Sequence, residues 1–328
     1  MAKIKSVIGL EADSNEIRAV EISRSSGVYS VLACGKIPLS EGVIEEGFIR
    51  DADRFSIALS ELMRNGGFKS TDIVVGVNNE NVIMRYASFP QVSPDKLRNM
   101  VLLQAQEFIP IPVQEMEIDY VVAGQDTNDD DQPVTNVMLI AARRNMIEQY
   151  INLLSASRLQ VIDVDSTTLS LCRGLRHDVV TDEKYLVINL TEDLLNFVVI
   201  EKDEISMVRS INIPEFAAES VERLFKYQSG YEQAEDDIEN LGTVLGQETS
   251  SSVSYYSMQN SGKPIEKIFL LANLAAGDRI AARISDLIAT IPVIVPDFYR
   301  TNNFGLDQKV LNEFAGCIGL GIQALEVK

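Results

Sequence analysis

Residues 6–34, SVIGLEADSNEIRAVEISRSSGVYSVLAC, decide how the rest of this chain is read. Ser6 to Leu10 is a short apolar run, Glu11 to Asn15 is a polar turn, and Glu16 to Ile22 continues with Ile17, Ala19 and Ile22 among polar neighbours. The Ser25-Ser26-Gly27 turn leads into Tyr29 to Cys34, so the spacing predicts a three-stranded meander. The same order returns in the second half, between Tyr185 and Ile213. There Leu186 to Leu190 is an apolar run, Thr191 to Asp193 a turn and Leu194 to Ile200 a second strand, and Ile205 to Ile213 follows the turn at Lys202 and Asp203. A unit that recurs so far along the chain predicts duplicated domains rather than an array of short repeats.

Between the meanders the periodicity changes to that of an α/β segment. Phe55, Leu59, Leu62 and Met63 predict a helix over Asp51 to Asn65, ended by Gly66-Gly67. Ile73 to Val77 reads as a buried strand, and Asn81 to Phe89 as another that stops at Pro90. Ser93-Pro94-Asp95 opens a helix to about Phe108, with proline suited to its first turn. Strands at Glu117 to Ala123 and Val134 to Ala142 flank an acidic hairpin loop, and Asn145 to Ser157 is an amphipathic helix. Later, Asn240 to Gln259 and Arg279 to Ile288 read as helices, with Tyr255, Tyr256 and Met258 as packing residues. Leu311 to Leu325 reads as a closing helix whose Gly316, Gly319 and Gly321 permit close packing at some cost in helix propensity.

With 328 residues the chain exceeds the ~250–300 at which a single core stops growing, so two domains are expected. No window carries the ~18 to 20 uninterrupted apolar residues of a membrane helix, and the first residues break into charge too soon for a signal peptide. The chain is therefore expected to be cytoplasmic. Its 29 basic and 48 acidic residues leave a net charge of −19. That balance repels phosphate backbones and anionic lipid, which argues against nucleic-acid or direct membrane binding. Cys34, Cys172 and Cys317 lie far apart and read as small buried residues, not a disulfide framework or a metal site.

Five stretches together resemble PilM, the actin-like cytoplasmic protein of type IV pilus machines. They are IGLEADSNEIRAVEIS (8–23), PLSEGVIEEGFIRDADRFSIALSELM (38–63), FPQVSPDKLRNMVLLQAQEFIPIPVQEMEIDY (89–120), VMLIAARRNMIEQYINLLSASRLQVIDVDS (137–166) and, more weakly, KPIEKIFLLANLAAGDRIAARISDLI (263–288). Their order and spacing carry the resemblance. The Ile109 to Pro112 corner, and the lack of an amphipathic anchor at the C-terminal end, fit this family better than its cell-division relative FtsA. The resemblance implies a two-lobed, actin-like α/β fold, duplicated and ribonuclease H-like, with an α/β subdomain inserted in the first lobe. It places that lobe at 1–178, the insertion at about 38–160, and the second lobe at 179–328.

The family's fold also implies a nucleotide pocket, in which two hairpin turns cradle phosphates through backbone N–H groups and acidic residues position Mg²⁺. Its positions here would be Glu11, Asp13, Ser14, Asn15 and Arg18 in the first turn, Asn189 and Thr191 in the second, and Asn273 in the adenosine segment. Several are worn. Asp13 puts a carboxylate where a phosphate would sit, and two like charges ~4 Å apart at an effective dielectric of ~20 repel by about 4 kcal/mol. Asn189-Leu190-Thr191 stands where an Asp-x-Gly is usual, and Leu271 to Gly277 lacks the paired glycines that admit an adenine ring. The expectation is a degenerate pocket with no cofactor and no catalytic or metal residue. Mg²⁺ bridging Glu11 or Asp13, giving a nucleotide switch or slow Mg-ATPase, is the alternative. Arg18 matches a family cation that meets phosphate, although a solvated strand charge is the plainer expectation.

Proteins of this family bind the cytoplasmic N-terminal tail of PilN, a bitopic inner-membrane protein. The resemblance points to Ile37, Leu39, Ile44 and Phe48, and to Ile109 and Ile111, as the elements a tail would meet, and to membrane association only through that partner. An acidic surface suits a basic tail. The remaining chemistry reads blandly. His177 lies in the polar segment Arg176 to Lys184 and is expected to be a solvent-exposed linker residue. Asp163 and Asp165 alternate on a strand, with Ser166 as a helix N-cap.

Overall fold

The computed structural model describes residues 6–128, 130–175, 183–191, 194–202, 204–226, 235–259, 264–272, 274–300 and 304–326. In chain order the elements are β1 (Ser6–Ala12), β2 (Glu16–Ser25), β3 (Val28–Pro38), β4 (Ile44–Glu45), β5 (Phe48–Ile49), α1 (Ala52–Gly66) and β6 (Asp72–Val77). Then come β7 (Val82–Pro90), α2 (Pro94–Phe108), β8 (Met116–Thr127), β9 (Pro133–Arg143), α3 (Arg144–Ala156), β10 (Gln160–Ser166) and α4 (Thr167–Leu175). The second half contributes β11 (Lys184–Leu190), β12 (Leu194–Glu201), β13 (Glu204–Asn212), α5 (Glu215–Lys226), α6 (Glu235–Gln259) and β14 (Lys267–Leu271). It closes with α7 (Gly277–Ile288), β15 (Val293–Ile294), α8 (Gln308–Glu313) and α9 (Ala315–Glu326).

These residues form two compact units, one of 1–81, 144–179 and 297–328, the other of 82–143 and 180–296. This division differs in two places from the lobes expected on either side of residue 178. Residues 82–143 group with the second unit because β7 and β8 lie against β13. Residues 297–328 return to the first because α9 packs on β1 and β2.

In the first unit the sheet order is β10-β6-β1-β2-β3, with β1, β2 and β3 antiparallel and with β6 and β10 parallel to β1. The predicted meander is therefore present, and β1, the central strand of the five, is buried throughout its apolar run. Helix α9 crosses that strand at backbone distance. A Cβ on Gly9 would fall on the carbonyl of Cys317, 2.9 Å from its carbon, and one on Gly321 would overlap the Ile22 side chain. The expected closing helix is in fact two, broken at Phe314, whose N–H reaches back to the Val310 carbonyl. Local chemistry sets other ends. The Asp51 carboxylate caps α1 by accepting from the Arg54 N–H at 3.0 Å, and Gly67 at φ 71° supplies its left-handed stop. Ser166 caps α4 as expected, its hydroxyl accepting from the Leu169 N–H at 3.4 Å.

The second unit repeats the arrangement as β13-β12-β11-β14-β15, again an antiparallel meander followed by parallel strands. Two sheets of one topology account for the sequence repeat. A separate sheet, β7-β9-β8, packs one face on α2 through Phe89, Leu97, Val101, Val137 and Leu139. Helices α6 and α7 approach closely where Gly242 and Gly246 admit Arg283 and Leu287. Of the three residues expected to pack on α6, Tyr256 is buried, whereas Tyr255 and Met258 are exposed because they fall off its apolar stripe near its last turn. No helix among the described residues is long and apolar enough to cross a membrane.

Candidate functional site

The β1–β2 turn is closed by its own acidic residue. The Asp13 N–H donates to the Glu16 carbonyl at 3.1 Å, and Asp13 Oδ1 accepts from the N–H groups of Asn15 and Glu16, both at 2.9 Å. The turn amides of Asp13, Asn15 and Glu16, which could otherwise meet an anion, are thus already occupied. Asp13 Oδ2 lies 3.2 Å from Arg18 Nη2. The Asn15 carbonyl accepts from the Leu39 N–H at 2.6 Å, and Ser14 stands half-buried in the same turn.

Arg18 is not the solvated strand charge expected from sequence. Its side chain is only 15% exposed and lies between Glu11 at 3.7 Å, Asp13 at 3.2 Å and Glu16 at 3.6 Å. Antiparallel register explains the first contact, since Glu11 pairs directly with Arg18 across the hairpin. The chain of charges continues from Glu16 to Lys36, 3.4 Å away, and from Lys36 to Glu313 at the end of α8. Sequence reasoning missed Lys36 and Glu313, which stand nearly three hundred positions apart.

Glu11 lies under the first turn of α9. A Cβ on Gly316 would overlap its carboxylate, and Cys317 Sγ is 3.5 Å from its Oε2. Burial pushes the Glu11 carboxyl up, with the Arg18 guanidinium pulling the other way. Burial, and after it the Glu11 charge, pushes the Cys317 thiol well above its usual range, which leaves it protonated and unreactive. Cys172 is likewise buried, and Cys34 half-buried.

This donor set does not fit magnesium with a polyphosphate. Glu11 is enclosed by α9, both Asp13 oxygens are engaged, and no group of three His, Cys, Asp or Glu among the described residues is placed to hold a metal ion.

Asn189 and Thr191 belong to the corresponding hairpin of the second unit. Asn189 is buried in β11 opposite Asn196. The Thr191 N–H donates to the Leu194 carbonyl at 2.9 Å, and the Leu194 N–H returns to Thr191 Oγ1 at 3.1 Å, so these two residues bond to each other. Asn273, Glu192, Asp193 and His177 lie outside the described residues. Of the other carboxylates, Asp165 is held by Arg173, and Asp163 Oδ1 accepts from the Val164 N–H. The register shift of β10 falls between Val161 and Asp163, and from Asp163 to Ser166 the pairing with β6 is regular, so Asp163 and Asp165 alternate as expected.

The six residues singled out for partner contact divide by burial. Ile44 and Ile109 are core residues, each 2% exposed, which corrects their placement on a binding face. Ile44 pairs with Ile49, and Ile109 packs with Ala105, Met116 and Ala141. Ile37, Leu39, Phe48 and Ile111 are half-buried, and the Arg50 guanidinium lies 5.1 Å from the Phe48 ring centre. Ile37, Leu39, Ile44 and Phe48 fall in the first unit, Ile109 and Ile111 in the second. The corner after Ile109 is held by Gln106, whose amide donates to the Ile109 carbonyl and accepts from the Val113 N–H, both at 3.1 Å.

Comparison with known proteins gives a consistent result. A family model described as type IV pilus assembly protein PilM matches residues 9–296. Among solved structures, the PilM-PilN type IV pilus biogenesis complex aligns over 98% of this chain and 98% of its own, with 19% identity and a TM-score of 0.83. The ethanolamine utilization protein EutJ from Carboxydothermus hydrogenoformans aligns over 97% and 89%, with 13% identity and a TM-score of 0.51.

Proposed function

The chain belongs to the PilM family of type IV pilus assembly proteins, and from that premise we propose that it is a non-enzymatic scaffold that captures the cytoplasmic N-terminal tail of a PilN-like inner-membrane protein. One observation carries the non-enzymatic part. In the first hairpin the Asp13 carboxylate occupies the turn amides and faces Arg18, so the anion-binding machinery is satisfied from within the chain. A phosphate entering there would have to displace a covalently tethered carboxylate, with Glu11 and Glu16 nearby to repel it.

The partner part rests on charge and on the exposed acidic segment beside Ile37, Leu39 and Phe48. Glu41, Glu45 and Glu46 are exposed there, and Arg50 meets Glu45 and Glu46 only at 3.8 and 3.6 Å, with all three side chains in solvent. Such pairs contribute little to stability and leave the segment attractive to a basic tail. At a net charge of −19 the chain is repelled by anionic lipid, so a membrane-anchored partner supplies its peripheral inner-membrane location.

Two measurements test this reading. Millimolar Mg·ATP is expected to leave the thermal unfolding of the intact chain unchanged, since a ligand that does not bind the native state cannot stabilise it. A reproducible rise in Tm with Mg·ATP would instead establish the nucleotide switch. A synthetic peptide of the neighbouring bitopic protein's N-terminal tail is expected to bind, with an association rate that falls as salt rises and falls again in E45K/E46K. A tail that does not bind, or that ignores salt and both substitutions, rejects the scaffold proposal.

A further inference from the structure

Among the described residues, six strands end the three larger sheets, and five of them carry a feature that discourages pairing with a further strand. β3 is bulged opposite Glu21 and Ile22, leaving Leu32 out of register. β10 has its register shift at Val161 to Asp163, and β13 has one between Val199 and Ile200. β15 is two residues long, and β7 lies against β13 and ends at Pro90. β8 differs. From Met116 to Val122 its pairing with β9 runs without a shift, the irregularity coming only between Val122 and Gly124. β13 reaches it at Gly124, which lies against Glu204.

Along that regular stretch the side chains divide by alternation. Ile118 and Tyr120 pack against the cluster containing Phe89 and Val101. Glu117, Asp119 and Val121 are exposed, as is Val122, with Val121 at 45% and Val122 at 53% of full exposure. Two exposed valines on an unbulged edge are an invitation to pair, and the acidic residues select what pairs. Arg143 holds Glu115 at 2.9 Å, whereas Arg98 stands 4.0 Å from Asp119 with both side chains mostly in solvent.

We propose that the outer edge of β8, Met116 to Val122, is a docking strip for an extended basic peptide, which adds to the β7-β9-β8 sheet as a fourth strand. Main-chain hydrogen bonds to the edge would hold the peptide, and lysine or arginine at alternate positions would lie beside Glu117 and Asp119. A second copy of this chain is a poor occupant, because edge-to-edge pairing sets these carboxylates against one another on a molecule of net charge −19. The strip lies wholly within the second unit and does not depend on tail capture beside Phe48.

The test uses the intact chain and a fluorescein-labelled heptapeptide of alternating lysine and valine, read by fluorescence anisotropy. Combining E117K with D119K is expected to weaken binding about tenfold, and a glutamate–valine heptapeptide is expected to bind that double variant instead. Both positions are exposed, so an unchanged circular dichroism spectrum will separate lost binding from lost folding. Two further peptides carry N-methyl groups on odd or on even residues. Because alternate amides of an added strand face its neighbour, one set is expected to abolish binding and the other to preserve it. No binding to the unaltered chain, indifference to E117K/D119K, or equal binding by both methylated peptides overturns the proposal.

Discussion

Gly9→Ala is expected to cost the first unit about 3 kcal/mol, at the upper end of what overpacking usually takes. The added methyl would meet the backbone carbonyl of Cys317, which no rotamer change can move. Relief requires α9 to lift from β1, and that would loosen the Gly316 and Gly321 contacts made by the same helix. In a unit of this size the loss is read as a fall in Tm of about 6–12 °C. Calorimetry suits the measurement, because two compact units need not unfold together. Gly277→Ala is the control: its Cβ would meet nothing nearer than Val295 at 3.6 Å, and its expected effect is within about 0.5 kcal/mol. If the two variants proved equally stable, the close seating of α9 on β1 would be wrong.

The contrast between these glycines shows what one-dimensional reading reaches. The meanders were legible because an apolar run, a polar turn and another run form a local pattern. The small-residue spacing of Gly316, Gly319 and Gly321 announced a closely packed helix. Its partner Gly9 did not, since nothing near residue 9 says which distant backbone will cross it. The break at Phe314 was hidden for the same reason. The contact of Glu11 with Arg18 needed the turn's length: a turn of Asp13 to Glu16 pairs Ala12 with Ile17 and Glu11 with Arg18, whereas a turn read as Glu11 to Asn15 does not. Ile44 and Ile109 were misplaced because apolar residues beside a turn look alike whether they face solvent or a core. Only the packing of Ile44 with Ile49, and of Ile109 with Met116 and Ala141, decides it.

Arg18→Met tests the charge network most severely, because it keeps the chain's length and removes the cation that three carboxylates share. Breaking a buried pair by removing one partner leaves an uncompensated charge, and the expected loss is about 3–5 kcal/mol at pH 7. Most of this belongs to Glu11, since it is buried, whereas Asp13 is more than a third exposed and screened by water. Adding Glu11→Gln should therefore recover much of the loss, a non-additivity that separate structural damage would not give. The pH dependence follows from the direction of the Glu11 shift. Burial raises its pKa in the folded state, so the fold binds that proton more tightly than the unfolded chain does. The contribution is fully favourable below the unfolded carboxylate pKa and is lost as pH rises through the folded value. Without Arg18 the opposing cation is gone, and the decline should extend to higher pH. In Glu11→Gln it should vanish from the urea-unfolding profile measured between pH 4 and 8. A double variant no more stable than Arg18→Met, with an unaltered profile, would show that Glu11 does not carry the buried charge on which the closed hairpin depends.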